Sequence, residues 1–384
     1  MIRVEKIIPG GFGLATGDDG KKIFLWNALP GEEISNFSIT KNKSRYLEGI
    51  ATHISSPSIH RVKPRDDCYL STSPWQIMSY NYELAEKQNL IVELFREHQI
   101  NITTPEIITD GREYYYRNKM EYALYYNNDT EKIDLAFHAR GSHRKVVVTS
   151  SSIERPELFT RATEVINELN QKHEEARKYQ SLLLRCNQLG EVSGGLYENH
   201  QPHPQFPTLT DKILNRSYSY SPNGFFQINL PVYELALKEI TKHISTDNVL
   251  DLYSGVGTIG LSVARDCHLT LVECDKSAYA ELERNAHSLS NVTTVYDKSE
   301  NALSYIASGQ TVILDPPRAG CDTKLITKLL EVTPSQIIYL SCNPATQARD
   351  IKLLLDKYKI SSIKTFNFFP RTPHIENLVV LEKM

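Results

Sequence analysis

Short, mostly apolar runs punctuate the second half of the chain: VLDLY (249–253), LTLVECD (269–275), TVILDPP (311–317) and QIIYLSC (336–342). Each is too short for a helix, and helical segments separate them. A strand covered on both faces reads as a continuous apolar run, so this alternation predicts a parallel, doubly wound sheet from about residue 206. The segment FNFFPRTPHIENLVVLEK (366–383) predicts two closely connected strands.

The first half has a different rhythm. Residues 1–58 alternate apolar and polar positions between turn signals at Gly10-Gly11-Phe12-Gly13, Asp18-Asp19-Gly20 and Pro30-Gly31-Glu32. Several strands in so short a stretch predict a small barrel, with Ser55-Ser56-Pro57-Ser58 as an exit linker. Between them lies a mixed region. Tyr82–His98 reads as an amphipathic helix, with Leu84, Ile91, Leu94 and Phe95 near one stripe. YYYRNKMEYALYY, KIDLAFHA and KVVVTSS read as strands, the first two joined by a turn at Asn127-Asn128-Asp129. Leu158–Leu184, rich in Glu, Lys and Arg, reads as one long helix. The predicted domains are therefore 1–58, 59–205 and 206–384.

Composition narrows the class. No stretch approaches the roughly 20 apolar residues that span a bilayer, and the first residues lack a signal-peptide core. Six cysteines, at 68, 186, 267, 274, 321 and 342, form no CxxC pair, which fits a reducing compartment. A soluble, cytoplasmic, monomeric protein with no membrane association is expected. The net charge of −3 offers no global attraction to a polyanion, but residues 1–65 carry ten Lys/Arg against six Asp/Glu. A nucleic-acid surface can be local in this way, and so can an ordinary solvated face.

Five motifs carry candidate chemistry. VLDLYSGVGTIGL (249–261) runs a strand into a glycine turn and a helix, as a nucleotide-type cofactor requires; alone it does not separate a dinucleotide from another adenosine cofactor. Glu273 ends the next strand, where an acid can accept hydrogen bonds from both ribose hydroxyls; a solvent-facing acid would look the same. VILDPPRAG (312–320) ends a strand at Asp315 and stiffens the loop with Pro316-Pro317, which suits a methyltransferase and has no use in a nicotinamide enzyme. Cys342 follows an apolar strand and so falls at the carboxyl edge of the sheet, where such folds bind ligands; a buried packing cysteine is the alternative. Glu376 lies among apolar residues, a setting that can raise a carboxyl pKa and make it a base; locally, a capping or ion-paired glutamate is the favoured alternative.

Together these segments resemble the RNA uracil-5 methyltransferase family, which includes the tRNA T-loop and 23S rRNA m5U enzymes. The resemblance covers nearly the whole chain: DLYSGVG, DPPR, SCNPAT and FPRTPHIE occur in the family's order, with SPNGFFQIN (221–229) ahead of them. YYRNKMEY and FHARGSH are similar to its central-domain motifs, and GGFGLA…DGKKIFLWNALPGE to a TRAM domain, an OB-like RNA-binding module. The resemblance implies an α/β protein: a Rossmann-like class I methyltransferase domain, an N-terminal OB-like barrel and a small α+β central domain. It implies S-adenosylmethionine as cofactor, contacted by Gln227, Tyr253, Glu273 and Asp315, with Cys342 as nucleophile and Glu376 as the base that removes the C5 proton. It implies an RNA substrate, 23S rRNA in preference to tRNA because of the TRAM-like barrel.

Many family members bind an iron–sulfur cluster through four cysteines of the central domain. Here CYLSTSPWQ (68–76) keeps only Cys68, and serines stand near the last ligand position, so neither cluster nor other metal is expected. Methylation of cytosine C5 or of an exocyclic nitrogen is the alternative enzyme. Cytosine enzymes commonly carry a cysteine beside the proline of this loop, where Arg318 stands here. A non-catalytic RNA-binding factor is the alternative of another class.

Overall fold

The computed structural model describes residues 1–172, 178–198, 201–202 and 206–384. The chain forms two compact units: Met1–Leu90, Arg112–Pro207 and Phe369–His374 make the first, and Ile91–Gly111, Thr208–Phe368 and Ile375–Met384 the second.

The first unit opens with β1 (Ile2–Ile7), β2 (Gly13–Thr16), β3 (Lys22–Trp26), β4 (Glu33–Asn42) and β5 (Tyr46–Ser56), closed into a barrel in the order β1-β2-β3-β5-β4. The expected turns fall at the joins of the first four strands. Alternation does the packing: Ile23 and Leu25 point inward with Val4, Ala15, Ile34 and Ala51. After α1 (Tyr69–Thr72) comes α2 (Tyr80–Glu97), close to the helix expected from its stripe. A three-residue strand, β6 (Glu106–Ile108), pairs within the second unit.

The rest of the first unit is a six-stranded antiparallel sheet covered by a helix. β7 (Lys119–Asn127), β8 (Lys132–His138), β9 (Lys145–Val147), α3 (Pro156–Asn170), β10 (Tyr179–Cys186), β11 (Val192–Glu198) and β12 (Gln201–Pro202) give the sheet order β12-β11-β10-β7-β8-β9. Leu158, Ala162, Ile166 and Leu169 line one face of α3 and pack on Met120, Tyr122, Leu124, Leu182 and Leu184. The long helix expected over Leu158–Leu184 is corrected here: α3 stops at Asn170, and SLLLRC belongs to β10, paired on both edges. A continuous apolar run has no period to tell a doubly flanked strand from a buried helix. The part of that helix at 173–177 lies outside the described residues.

The second unit is the expected α/β domain. After the hairpin β13 (Leu209–Ile213)–β14 (Arg216–Tyr220) come α4 (Leu230–His243), β15 (Asn248–Leu252), α5 (Thr258–Val263), β16 (His268–Glu273), α6 (Lys276–Ala286), β17 (Val292–Tyr296), β18 (Thr311–Leu314), α7 (Thr323–Val332), β19 (Gln336–Ser341), α8 (Pro344–Leu354), β20 (Tyr358–Phe366) and β21 (Glu376–Lys383). The sheet order is β17-β16-β15-β18-β19-β21-β20-β6, with β15 to β19 parallel and β21 antiparallel between β19 and β20. Strand order reverses between β15 and β18, the switch point at which open α/β sheets bind ligands beyond the strands' carboxyl ends. Among the described residues no helix is long and apolar enough to cross a membrane.

Candidate active site

The site is built on the carboxyl edge of that sheet. β15 delivers a tight turn in which Tyr253, Gly255 and Gly257 all have positive φ, at 67°, 55° and 87°. Glycine is required at 257: a Cβ there would lie 2.5 Å from Leu282 Cδ1, on a backbone side chains rarely adopt. Gly260 serves a different need, since its missing Cβ, 2.6 Å from Leu271 Cδ2, lets α5 lie against β16. Ser254 ties the turn down: its hydroxyl donates to Asp251 O at 2.7 Å and accepts from Val272 N at 2.9 Å.

Glu273 faces this turn. Its Oε2 accepts from Gly255 N at 2.8 Å, and its Oε1 accepts from Cys274 N at 2.8 Å and Asp275 N at 2.6 Å. Three main-chain donors thus fix a carboxylate beside the glycine loop. The Tyr253 hydroxyl lies near Ser299, Glu300 and Cys321, and burial pushes its pKa up. There it lines a cavity of about 500 Å³ with Pro317, Asp322 and Arg349. Gln227 is buried at the end of the 221–229 loop, whose Phe226 stacks on Tyr220 with ring centres 3.9 Å apart.

The two remaining loops are joined to each other. Gly320 N donates to Pro317 O at 2.9 Å and closes the Asp-Pro-Pro loop. The carbonyl of Arg318 accepts from Asn343 Nδ2 at 2.8 Å and Thr346 Oγ1 at 3.2 Å, which binds this loop to the one carrying Cys342. Sheet register does the rest. The β19–β21 ladder ends at the pair Ser341–Asn377, and Cys342 and Glu376 are the residues that flank this last rung. Beneath that rung Gln347 Nε2 donates to Tyr339 O at 2.8 Å and Asn377 O at 3.0 Å, and Asn377 Nδ2 returns a bond to Gln347 Oε1 at 2.7 Å.

Electrostatics bring Cys342, Asp315 and Glu376 into one group. Burial, then the carboxyls of Glu376 and Asp315, push the half-buried Cys342 thiol up to about 11, while Arg318 pulls it down. Glu376 is buried and is held well above the carboxylate range by desolvation and by Asp315, again opposed by Arg318. Burial raises Asp315 to about 7. Of the six expected site residues these three converge, Glu273 belongs to the glycine turn, and Tyr253 and Gln227 are buried or half-buried around it. Three residues were given no role in the site from the sequence. Arg318 is a cation acting on both Cys342 and Glu376, Gln347 ties the strands that carry them, and Asp251 is a fully buried acid in β15. An Asp inside an apolar run was the available signal for the last.

Residues 208–384 match the family model described as tRNA (uracil-5-)-methyltransferase. The match takes in nearly all of the second unit's sheet and the site built on it. A solved structure of the Pyrococcus abyssi tRNA (uracil-54, C5)-methyltransferase, in complex with S-adenosyl-L-homocysteine, superposes with a TM-score of 0.76 and 25% identity, covering 99% of this chain and all of that one. A Lactobacillus johnsonii protein named as an uncharacterized RNA methyltransferase is 29% identical, covering 95% of this chain and 94% of its own length. A Bacillus anthracis protein of the same designation is 27% identical over 94% of this chain and 91% of its own. The methyltransferase class read from the motifs stands with the family.

The iron–sulfur cluster raised by the resemblance does not fit the first unit. The only cysteines there are Cys68 and Cys186, and Cys186 is fully buried in the sheet core. Cys68 Sγ donates to Ser150 O at 3.7 Å. Ser152 is already engaged, its N and Oγ donating to Asp66 at 3.1 and 2.7 Å, and Gln76 Nε2 donates to the same carboxylate at 2.8 Å. Two thiols cannot replace four.

Proposed function

We propose that this protein methylates C5 of a uridine in RNA, with S-adenosylmethionine as donor, Cys342 as nucleophile and Glu376 as base. The observation that carries the reading is the β19–β21 ladder, whose last pair, Ser341–Asn377, is flanked by a half-buried thiol at Cys342 and by the buried carboxyl of Glu376, whose charge acts on that thiol. The pinned Glu273 carboxylate and the glycine turn fit the ribose and main-chain approach of an adenosine cofactor, with Gln227, Tyr253 and Asp315 as further contacts. When bound, that cofactor supplies a methyl group on a sulfonium.

C5 of uracil is a weak nucleophile, which is why a thiol is needed. Cys342 Sγ bonds to C6, the C5–C6 π pair moves toward O4, and C5 becomes enolate-like. C5 then takes the methyl group. Glu376 accepts the original C5 proton, the C5–C6 double bond re-forms, and the Sγ–C6 bond breaks. A carboxylate raised by burial is a stronger base than one in water, which suits a carbon acid. The thiol starts with its proton on and gives it up to solvent as the Sγ–C6 bond forms, and Arg318 is the side chain that favours both anionic forms. The base must leave its stack to reach this edge, at a cost of roughly a few kcal/mol, so loops and loosely paired RNA are the natural substrates.

In this reading residues 1–58 and 59–205 hold RNA and residues 206–384 do the chemistry, in the cytoplasm and as a monomer. The barrel favours 23S rRNA. tRNA is the second reading, because the P. abyssi enzyme whose name specifies tRNA uracil-54 matches this chain along its full length, barrel included. Maps of m5U in both RNAs, with and without the protein, separate them. The mechanism is tested with RNA containing 5-fluorouridine, whose fluorine cannot leave as a proton. The wild type is expected to form a stable covalent complex and Cys342→Ala none; full methylation by Cys342→Ala would refute the thiol's role.

A further inference from the structure

The β20–β21 hairpin loop, Phe369–His374, belongs to the first unit, and almost every main-chain group at its start is held. Phe369 O accepts from Lys87 Nζ at 3.1 Å and from Thr372 Oγ1 at 2.8 Å. Pro370 O accepts from the Tyr116 hydroxyl at 2.9 Å. Arg371 N donates to both carboxylate oxygens of Glu83 at 3.0 Å, and Arg371 O accepts from Trp75 N at 3.0 Å. The Arg371 side chain adds bonds to Met78 O at 2.7 Å and to Glu113.

Two features exceed what a loop needs for stability alone. Glu83 and Lys87 form an ion pair at 2.9 Å with no exposed side-chain surface on either partner. Replacing such a pair by well-packed apolar residues is often neutral or stabilising, so burial of both charges is not explained by folding free energy. Arg371 also sits at φ 64°, a left-handed conformation that is costly for a long side chain. What both features deliver is a fixed course for the loop. Only Ile375 stands between the end of that loop and Glu376. On its other side Glu376 is held by pairing with Phe366 in β20.

We infer that Glu83, Lys87 and Arg371 are positioning residues for proton removal from C5: they clamp the loop that delivers Glu376 and so set where its carboxylate stands. This rests on the reading of Glu376 as the base. It makes a specific kinetic demand, since addition of Cys342 and methyl transfer precede the step that needs Glu376. A loosened clamp should leave those two steps intact and stall the enzyme as a methylated RNA–protein adduct.

The test uses the full chain, S-adenosylmethionine and unmodified 23S rRNA and tRNA transcripts made with either uridine or 5-fluorouridine. The double variant Glu83→Leu/Lys87→Met removes both anchors while keeping the site filled and uncharged. Expected are a 10- to 100-fold fall in turnover, a covalent adduct accumulating on ordinary uridine RNA where the wild type shows none, and 5-fluorouridine trapping within about threefold of wild type. Glu83→Gln, which keeps an acceptor for Arg371 N but loses the ion pair, carries the same readout at smaller amplitude if the double variant does not fold. Unchanged turnover, or turnover and 5-fluorouridine trapping falling together with no adduct on uridine RNA, overturns the clamp. A wild type that traps no 5-fluorouridine RNA overturns the proposed chemistry itself, and the clamp with it.

Discussion

Asp251 offers a sharp test of how the catalytic domain is built. It sits within β15 with no exposed surface; Oδ2 accepts from Gly260 N at 2.8 Å, and Oδ1 has no partner among the described residues. Burial, reinforced by Asp315 and Glu273 and opposed by the Gly260 bond, pushes its pKa up to about 8 from an ordinary 3.8. The folded chain therefore keeps a proton that the unfolded chain gives up between those values. The contribution is fully present below the unfolded pKa and is lost as pH rises to about 8. Asp251→Asn keeps an acceptor for Gly260 and cannot titrate. At about 1.4 kcal/mol per pKa unit, a shift of roughly four units sets a ceiling near 6 kcal/mol, and local relaxation should leave roughly 2–3 kcal/mol. Urea unfolding of both proteins at intervals from pH 5 to 9 reads this directly, because the other acids titrate in both and cancel. The variant should gain on the wild type up to about pH 8 and then hold level. A difference that stays flat over the range would refute the account of a neutral buried acid.

Other consequences can be checked separately. With its thiol near 11, Cys342 should be alkylated by iodoacetamide about tenfold faster per pH unit between 7 and 10, followed by peptide mass mapping; an inflection near 7 would contradict the burial described. Gly257→Ala should destabilise the domain by about 1–2 kcal/mol in urea melts and weaken S-adenosylmethionine binding in calorimetry, because the backbone there stands at φ 87°. Protein purified without oxygen should carry no stoichiometric iron or sulfide, and finding both would overturn the reading of Cys68 and its serine neighbours.

Much of this architecture can be read from the chain because burial on both faces leaves an unmistakable record. The parallel strands announced themselves as apolar runs, and the glycine turn and Asp-Pro-Pro loop fall where those runs end. Glu376 was different. Its apolar neighbours suit a base as well as a capping or ion-paired glutamate, and only the antiparallel register of β21 brings it beside the pair that Cys342 follows. The same limit hid β10, whose LLL run has no period, and β6, which is three residues long and finds its partner in β20. Arg318 and Gln347 act through a loop-to-loop tie and an inter-strand network, and neither leaves a local signature. Register and long-range pairing are properties of the assembled sheet, not of any window of sequence.

That sheet order also dictates when the site can come into being. β21 is synthesised after β20 yet lies between β20 and β19, and β6 waits for a partner 258 residues away at Lys364. Pairings this remote close slowly. Until β21 is inserted, β19 has an open edge. The last strand to be synthesised therefore completes the sheet from within, and the segment that follows β19, Cys342 included, gains its neighbour only at that point.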